Sequence, residues 1–240
     1  MNLVLPENCL VTWIKICGTT NLEDALAAAA AGADALGFIF APSPRRIAPK
    51  DAARVIAELP LGVEKIGVFV NQQPAVILQT AAAAGLTGIQ LHGDDIAQTA
   101  AQVKRRSAGR LKIYGVVSMA GFAHDVATAD EEIIWQPASL REFSALLLDS
   151  GTAEQRGGTG KPFDWDQAVP FVRLLAKKIS VVIAGGLDPG NVGQAIATFH
   201  PWGLDVVSGV EREPGEKDHA KVREFIQAAK NSPPRASEKS

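Results

Sequence analysis

The stretch Trp13–Phe40, WIKICGTTNLEDALAAAAAGADALGFIF, holds one complete strand–helix–strand unit. Trp13–Cys17 is a short apolar run interrupted only by Lys15, and it reads as a strand. Asn21 can cap a helix, with Asp24 at the capping-box distance and one methylene shorter than the usual glutamate. Leu22, Leu26, Ala29 and Ala33 then recur at helical spacing. Ala35–Phe40 is a second strand. The turn between the first strand and the helix is Cys-Gly-Thr-Thr, which lacks the GxGxxG pattern of a doubly wound sheet.

The same unit repeats along the chain. Strands are expected at Lys65–Val70, Gly88–His92, Leu111–Val117, Ala145–Asp149, Ser180–Ala184 and Leu204–Val207. Helices are expected at Pro49–Glu58, Pro74–Ala84, Asp94–Arg106, Asp164–Ala176, Asn191–Thr198 and Lys217–Ala229. Two of these helices open on proline within the first turn. Residues 120–143 contain Pro137 and mixed periodicity, which predicts a helix plus irregular structure. Eight units of about 30 residues each point to an α/β chain folded as a single (β/α)8 TIM barrel. The barrel spans residues 13–230. Residues 1–12 form an N-terminal extension, and the polar, proline-bearing residues 231–240 form a disordered tail.

Composition narrows the function classes. The chain has 240 residues, 47% hydrophobic and 21% charged, with a formal net charge of −2. That balance carries no basic excess for nucleic acid, so any phosphate must be held by a local site. No apolar run approaches the roughly 20 residues of a membrane span. The start has no basic segment and reaches Pro6 early, unlike a signal peptide. The two cysteines, Cys9 and Cys17, suit a reducing, cytoplasmic setting and not a disulfide scaffold. The expected partner is a small phosphorylated molecule, with no nucleic acid and no membrane. A monomer and a homodimer fit the sequence equally.

A barrel of this kind places its chemistry at the C-terminal ends of its strands. Those ends carry Cys17, the Phe40–Arg46 segment, Asn71, His92, Ser118, Asp149, Gly185, Gly186, Ser208 and Gly209. Three glycine-bearing segments, Gly157–Gly160, Gly185-Gly186 and Ser208-Gly209, follow strands six, seven and eight. Glycines let backbone N–H groups approach an oxyanion, and barrels commonly hold phosphate there. Gly158, Thr159, Gly160, Gly185, Gly186, Ser208 and Gly209 are the candidate phosphate-binding residues. Gly160-Lys161 is not a Walker motif, because Gln155 and Pro162 occupy the positions that would need glycine and Ser or Thr.

Cys17 alone would read as a small buried hydrophobe. Its place at a strand end aims it into the mouth. Strand alternation puts Lys15 on the same face, roughly 7 Å deeper. Asp205 occupies the matching position on strand eight, which neighbours strand one once the barrel closes, so Lys15 and Asp205 are expected to meet inside. An ammonium nearby favours a thiolate at Cys17. Asp149, across the mouth, suits a proton donor. A base and an acid on opposite walls fit a proton-moving isomerisation better than hydrolysis. His92 is the one histidine at a strand end, which makes a zinc site improbable.

Collectively the segments Lys15–Gly18, Glu23–Ala25, Gly32–Phe38, Ser43–Arg45, Gly67–Asn71, Gln90–Asp94, Leu147–Asp149, Gly157–Gly160 with Phe163–Trp165, Ala184–Leu187 and Asp205–Glu211 resemble the phosphoribosylanthranilate isomerase family of tryptophan biosynthesis. The resemblance runs from about residue 13 to 229. It implies an Amadori rearrangement of N-(5-phosphoribosyl)anthranilate without cofactor or metal. It further implies Asp149 as general acid, Cys17 as general base and Arg45 as the anchor of the anthranilate carboxylate, with Arg46 adjacent. Lys15, His92 and Asp205 complete the expected pocket. Another sugar-phosphate barrel enzyme is the nearest rival, although such relatives lean on lysine and glutamate at strand ends. A non-catalytic sugar-phosphate binder is the second.

Overall fold

Trp13–Cys17 forms β1, and its residues alternate between two faces. Ile14 and Ile16 are fully buried against the helices, whereas Trp13 belongs to the separate cluster inside the barrel. The computed structural model describes residues 12–119, 137–150 and 165–232. After β1 come α1 (Leu22–Ala31), β2 (Ala35–Ile39), α2 (Pro49–Ala57), β3 (Glu64–Val70), α3 (Pro74–Ala84), β4 (Gly88–His92) and α4 (Ile96–Arg106). They are followed by β5 (Lys112–Ser118), a four-residue α5 (Pro137–Leu140), β6 (Ala145–Asp149), α6 (Trp165–Ala176), β7 (Val181–Ala184), α7 (Val192–Phe199) and β8 (Gly203–Val206). A 3₁₀ turn (Ser208–Val210), a small antiparallel hairpin of β9 (Glu211–Glu213) and β10 (Glu216–Lys217), and α8 (His219–Asn231) end the series.

The eight main strands form one closed parallel barrel in sequence order, the architecture expected from the repeated unit. Closure occurs between β1 and β8, where Lys15 stands in register with Asp205. The predicted bounds of β1, α3, β4 and β6 coincide with the observed ones. Other ends differ by a residue or two. The start of α4 differs because Asp95 takes a left-handed backbone and Asp94 donates its N–H to Asn71 Oδ1 at 2.9 Å, so neither extends the helix. Residues 1–11 of the N-terminal extension and 233–240 of the tail lie outside the described residues, as do residues 120–136 of the irregular region. Asn231, expected to open the tail, instead ends α8, which Ser232 caps.

Two corrections concern α1 and α8. Asn21 does cap α1, its Oδ1 accepting from the Asp24 N–H at 2.8 Å. Asp24 does not complete a capping box. Its carboxylate accepts from the Asn21 side-chain amide, from the Lys217 backbone N–H at 2.8 Å, and is bonded to His219 Nε2 at 2.7 Å. Lys217 therefore lies in β10 and not at the start of α8, which is capped by Asp218 instead.

The barrel interior is layered. Trp13 stacks on Tyr114 at 5.5 Å and on Trp202 at 5.1 Å, and Ala35, Ile66, Ala145, Leu147 and Val182 complete an apolar floor. Above it lies a polar layer. Lys15 Nζ donates to Asp205 Oδ1 at 2.9 Å and to Gln90 Oε1 at 2.8 Å, with all three side chains buried. The expected meeting of Lys15 and Asp205 is thus present. Removing one partner of such a pair strands a charge away from water. Lys15→Met is expected to lower unfolding free energy by about 3–5 kcal/mol, measured as a shifted denaturant midpoint. The double variant Lys15→Met/Asp205→Leu should recover most of that loss.

Candidate active site

Cys17 ends β1 and is 3% exposed. Gly37 of β2 stands in register with it, and a Cβ at Gly37 would lie 2.5 Å from Cys17 Sγ and 3.0 Å from Lys15 Cε. Only a glycine leaves room there for both reactive side chains. Burial pushes the Cys17 thiol up from its ordinary value; Lys15 opposes the shift, and the Asp205 carboxylate adds to it. The net direction is upward: Lys15 does favour the thiolate, as expected, but burial outweighs it. The same ammonium also bonds Asp205 and Gln90. Lys15 itself is disfavoured as a cation by burial, yet Asp205 and Cys17 outweigh that cost and raise its pKa.

Gln90 carries the polar layer toward the mouth. Lys15 has only donors, so the Gln90 oxygen faces it and the Gln90 amide nitrogen faces His92. That nitrogen lies 2.7 Å from His92 Nε2, which must accept, leaving the proton on Nδ1. His92 ends β4 and is half-buried.

Asp149 ends β6, in register with Ser118 of β5. β7 and β8 separate β6 from β1, so Asp149 and Cys17 stand on well-separated parts of one rim. A cavity at this rim is lined by Asp149, Gly185, Gly186, Leu187, Asp205, Val206, Val207 and Ser208. It joins the candidate acid to two of the three glycine segments. Gly185 and Gly186 both have positive φ, 81° and 69°, a conformation glycine adopts without strain. A Cβ on Gly209 would strike the Leu187 carbonyl oxygen, so the 3₁₀ turn packs directly onto the loop after β7. Gly158, Thr159 and Gly160 lie outside the described residues.

Arg45 lies across Gly18, where a Cβ would come within 2.9 Å of Arg45 Cδ. Arg46 is exposed and bridges by its backbone to Ile39. The register of the double arginine therefore brings Arg45 to the rim beside Cys17. Its guanidinium is forked onto Glu211, with Nε at 2.9 and 3.0 Å from the two carboxylate oxygens and Nη2 at 2.8 Å from Oε2. Glu211 also takes the fully buried Lys217 Nζ at 2.9 Å. Sequence reading missed Glu211 and Lys217 as site residues. In the sequence, residues 211–216 carry no assigned element and Lys217 opens the expected last helix; only the alternation of a hairpin around Pro214-Gly215 could have turned those two side chains inward.

Among the described residues no group of three or more His, Cys, Asp or Glu side chains is arranged to hold a metal ion, and no helix is long and apolar enough to cross a membrane.

The closed parallel barrel, with a thiol, a carboxyl, an arginine and positive-φ glycines on the C-terminal rim, defines a (β/α)8-barrel enzyme. Residues 14–228 match the family model of N-(5'phosphoribosyl)anthranilate (PRA) isomerase. A curated N-(5'-phosphoribosyl)anthranilate isomerase from Pelobacter propionicus is 46% identical over 220 residues, covering 91% of this chain and 96% of its own. A crystal structure of phosphoribosyl anthranilate isomerase in complex with reduced 1-(o-carboxyphenylamino)-1-deoxyribulose 5-phosphate is 37% identical, with a TM-score of 0.73 over 91% of this chain and 98% of that one. A structure of mutually generated monomers of the dimeric enzyme from Thermotoga maritima is 38% identical, with a TM-score of 0.71 over 92% and 99%. The chain belongs to the N-(5'-phosphoribosyl)anthranilate isomerase family.

Asp205 is the group whose removal should act most selectively on the thiol. In a Cys9→Ser background, Asp205→Asn keeps an acceptor for Lys15 but removes the negative charge opposing a thiolate. The pH at which Cys17 becomes alkylated at half-maximal rate, by a small thiol reagent, should fall. An unchanged or higher midpoint would show that Asp205 does not hold the thiol protonated.

Proposed function

We propose that this chain catalyses the Amadori rearrangement of N-(5-phosphoribosyl)anthranilate to 1-(2-carboxyphenylamino)-1-deoxyribulose 5-phosphate in tryptophan biosynthesis. The observation that carries the assignment of roles is the joint placement, within a chain of this family, of Cys17 at the end of β1 and Asp149 at the end of β6 on one rim. Asp149 donates a proton to the furanose ring oxygen. The bond from that oxygen to C1′ breaks as the anthranilate nitrogen lone pair forms a Schiff-base cation. The Cys17 thiolate then takes the C2′ proton, and the electron pair moves toward nitrogen to give an enolamine. Tautomerisation yields the ketone. Every step moves a proton between the substrate and a side chain or an electron pair within the substrate, so two positioned side chains suffice.

The raised thiol pKa has two consequences for this role. It makes the thiolate a stronger base toward carbon, and it makes that thiolate scarcer at neutral pH. The Gly185-Gly186 turn and the Ser208-Gly209 turn, with Gly158, Thr159 and Gly160, take the phosphate through backbone N–H groups. Arg45 takes the anthranilate carboxylate through its planar fork. His92 and the Lys15–Asp205 pair line the pocket beneath. We assign the enzyme to the cytoplasm as a monomer or homodimer, acting on a small molecule with no nucleic-acid or membrane partner. The barrel runs from Trp13 to the end of α8 at Asn231, between an extension and a tail.

The decisive assay follows the fluorescence of freshly made phosphoribosylanthranilate with purified protein. Cys17→Ala and Asp149→Asn are each expected to lower turnover by at least about a hundredfold while retaining phosphate binding. Near-normal turnover in either variant would remove that residue from the mechanism. Binding of a product analogue without turnover by the wild type would make the chain a binder only.

A further inference from the structure

Lys217 is fully buried, yet its ammonium is fully occupied. Its Nζ donates to the Cys17 carbonyl at 2.6 Å, to Glu211 Oε1 at 2.9 Å and to the Val207 carbonyl at 3.4 Å. Three hydrogens meet three acceptors drawn from β1, from the end of β8 and from the hairpin. Its backbone N–H is tied to Asp24 at the start of α1. Glu211 is nearly as enclosed. Besides Lys217 it accepts the Gly215 N–H at 3.3 Å and both the Nε and Nη2 of Arg45. Burial would raise the Glu211 carboxyl, but Arg45 and Lys217 together hold it below the usual carboxylate range. Burial wins at Lys217, whose pKa is lowered despite Glu211.

The manner in which Glu211 grips Arg45 matters. A guanidinium offers two edges, each able to fork onto a carboxylate. Glu211 occupies the Nε–Nη2 edge, and no bond to Nη1 is made among the described residues. The side chain of Arg45 is only 13% exposed. An isolated arginine would sweep a large volume on its flexible stem; this one is held side-on.

We propose that Glu211 and Lys217 are positioning residues of the reaction: the hairpin after β8 clamps Arg45 so that its Nη1–Nη2 edge alone meets the ring carboxylate of the substrate, and the same lysine fixes the main chain of Cys17. Recognition of that carboxylate is thereby set in the same frame as the base. The proposal rests on the role of Arg45 given above. It assigns substrate selectivity to two residues that touch no reacting atom.

The test compares binding of two probes by titration calorimetry. One is reduced 1-(o-carboxyphenylamino)-1-deoxyribulose 5-phosphate; the other is the same molecule lacking the ring carboxyl. Wild type should prefer the first by about a hundredfold, and Arg45→Ala should abolish the preference. Glu211→Gln should narrow it by about tenfold or more, with inorganic phosphate affinity unchanged. Glu211→Asp, which keeps the charge but shortens the reach, should narrow it less. In turnover, Glu211→Gln should raise KM by about tenfold with kcat within about threefold, since ground-state and transition-state binding of the carboxylate are alike. Loss of preference in Arg45→Ala with wild-type preference in Glu211→Gln would overturn this proposal alone. Undiminished preference in Arg45→Ala would overturn the role of Arg45 and this proposal with it. A readout independent of variant folding is the Arg45 Nε–H resonance of wild-type protein. It should remain protected and shifted by Glu211 both free and with the carboxylated probe; its release on binding would contradict the clamp.

Discussion

The barrel closes where Lys15 meets Asp205. That contact is at once a seam between the first and last strands and the electrostatic floor of the mouth. A charge buried this deeply is tolerable only when a partner is fixed beside it. The partner arrives by register, because β8 can close the barrel only alongside β1. Gln90 then uses the remaining reach of the ammonium and turns His92 to accept. Lys15 and burial pull the Cys17 thiol in opposite directions, and burial prevails with the Asp205 carboxylate on its side.

The hairpin after β8 adds a second polar frame above the first. Lys217 joins Cys17, Val207 and Glu211, and Glu211 joins Arg45. Asp24 anchors this frame to α1 through the Lys217 N–H and through His219. Both frames meet at Cys17, one by its side chain and one by its carbonyl. The residue is therefore constrained from below by Lys15 and Gly37 and through its carbonyl by Lys217. A base that must reach carbon and not water benefits from such confinement.

Much of this was legible in the sequence because it follows from period and place. Alternation within Trp13–Cys17 puts Lys15 and Cys17 on one face, and barrel closure supplies Asp205. The strand ends select Cys17, His92 and Asp149 without any knowledge of their contacts. What stayed hidden depends on side-chain direction across long sequence separations. Glu211 and Arg45 lie far apart in the chain, as do Lys217 and Cys17, and nothing local marks either pair. Asp24 looked like a capping residue because its neighbours fit that role; its true partners come from the other end of the chain. For Cys17, the nearness of Lys15 can be read from alternation and its pull on the thiol is present, but the burial that outweighs that pull cannot be read from the strand alone.

The central claim is that burial, with the Asp205 carboxylate on its side, keeps the Cys17 thiol protonated against the pull of Lys15. It is tested most directly by titrating Cys17 itself. The ultraviolet absorbance of the thiolate, taken as the difference between the Cys9→Ser protein and the Cys9→Ser/Cys17→Ala protein, reports its ionisation against pH. A midpoint above the value of about 8.5 for a free thiol is predicted. A midpoint below that value would show that Lys15 outweighs burial at the thiol, and would contradict the account.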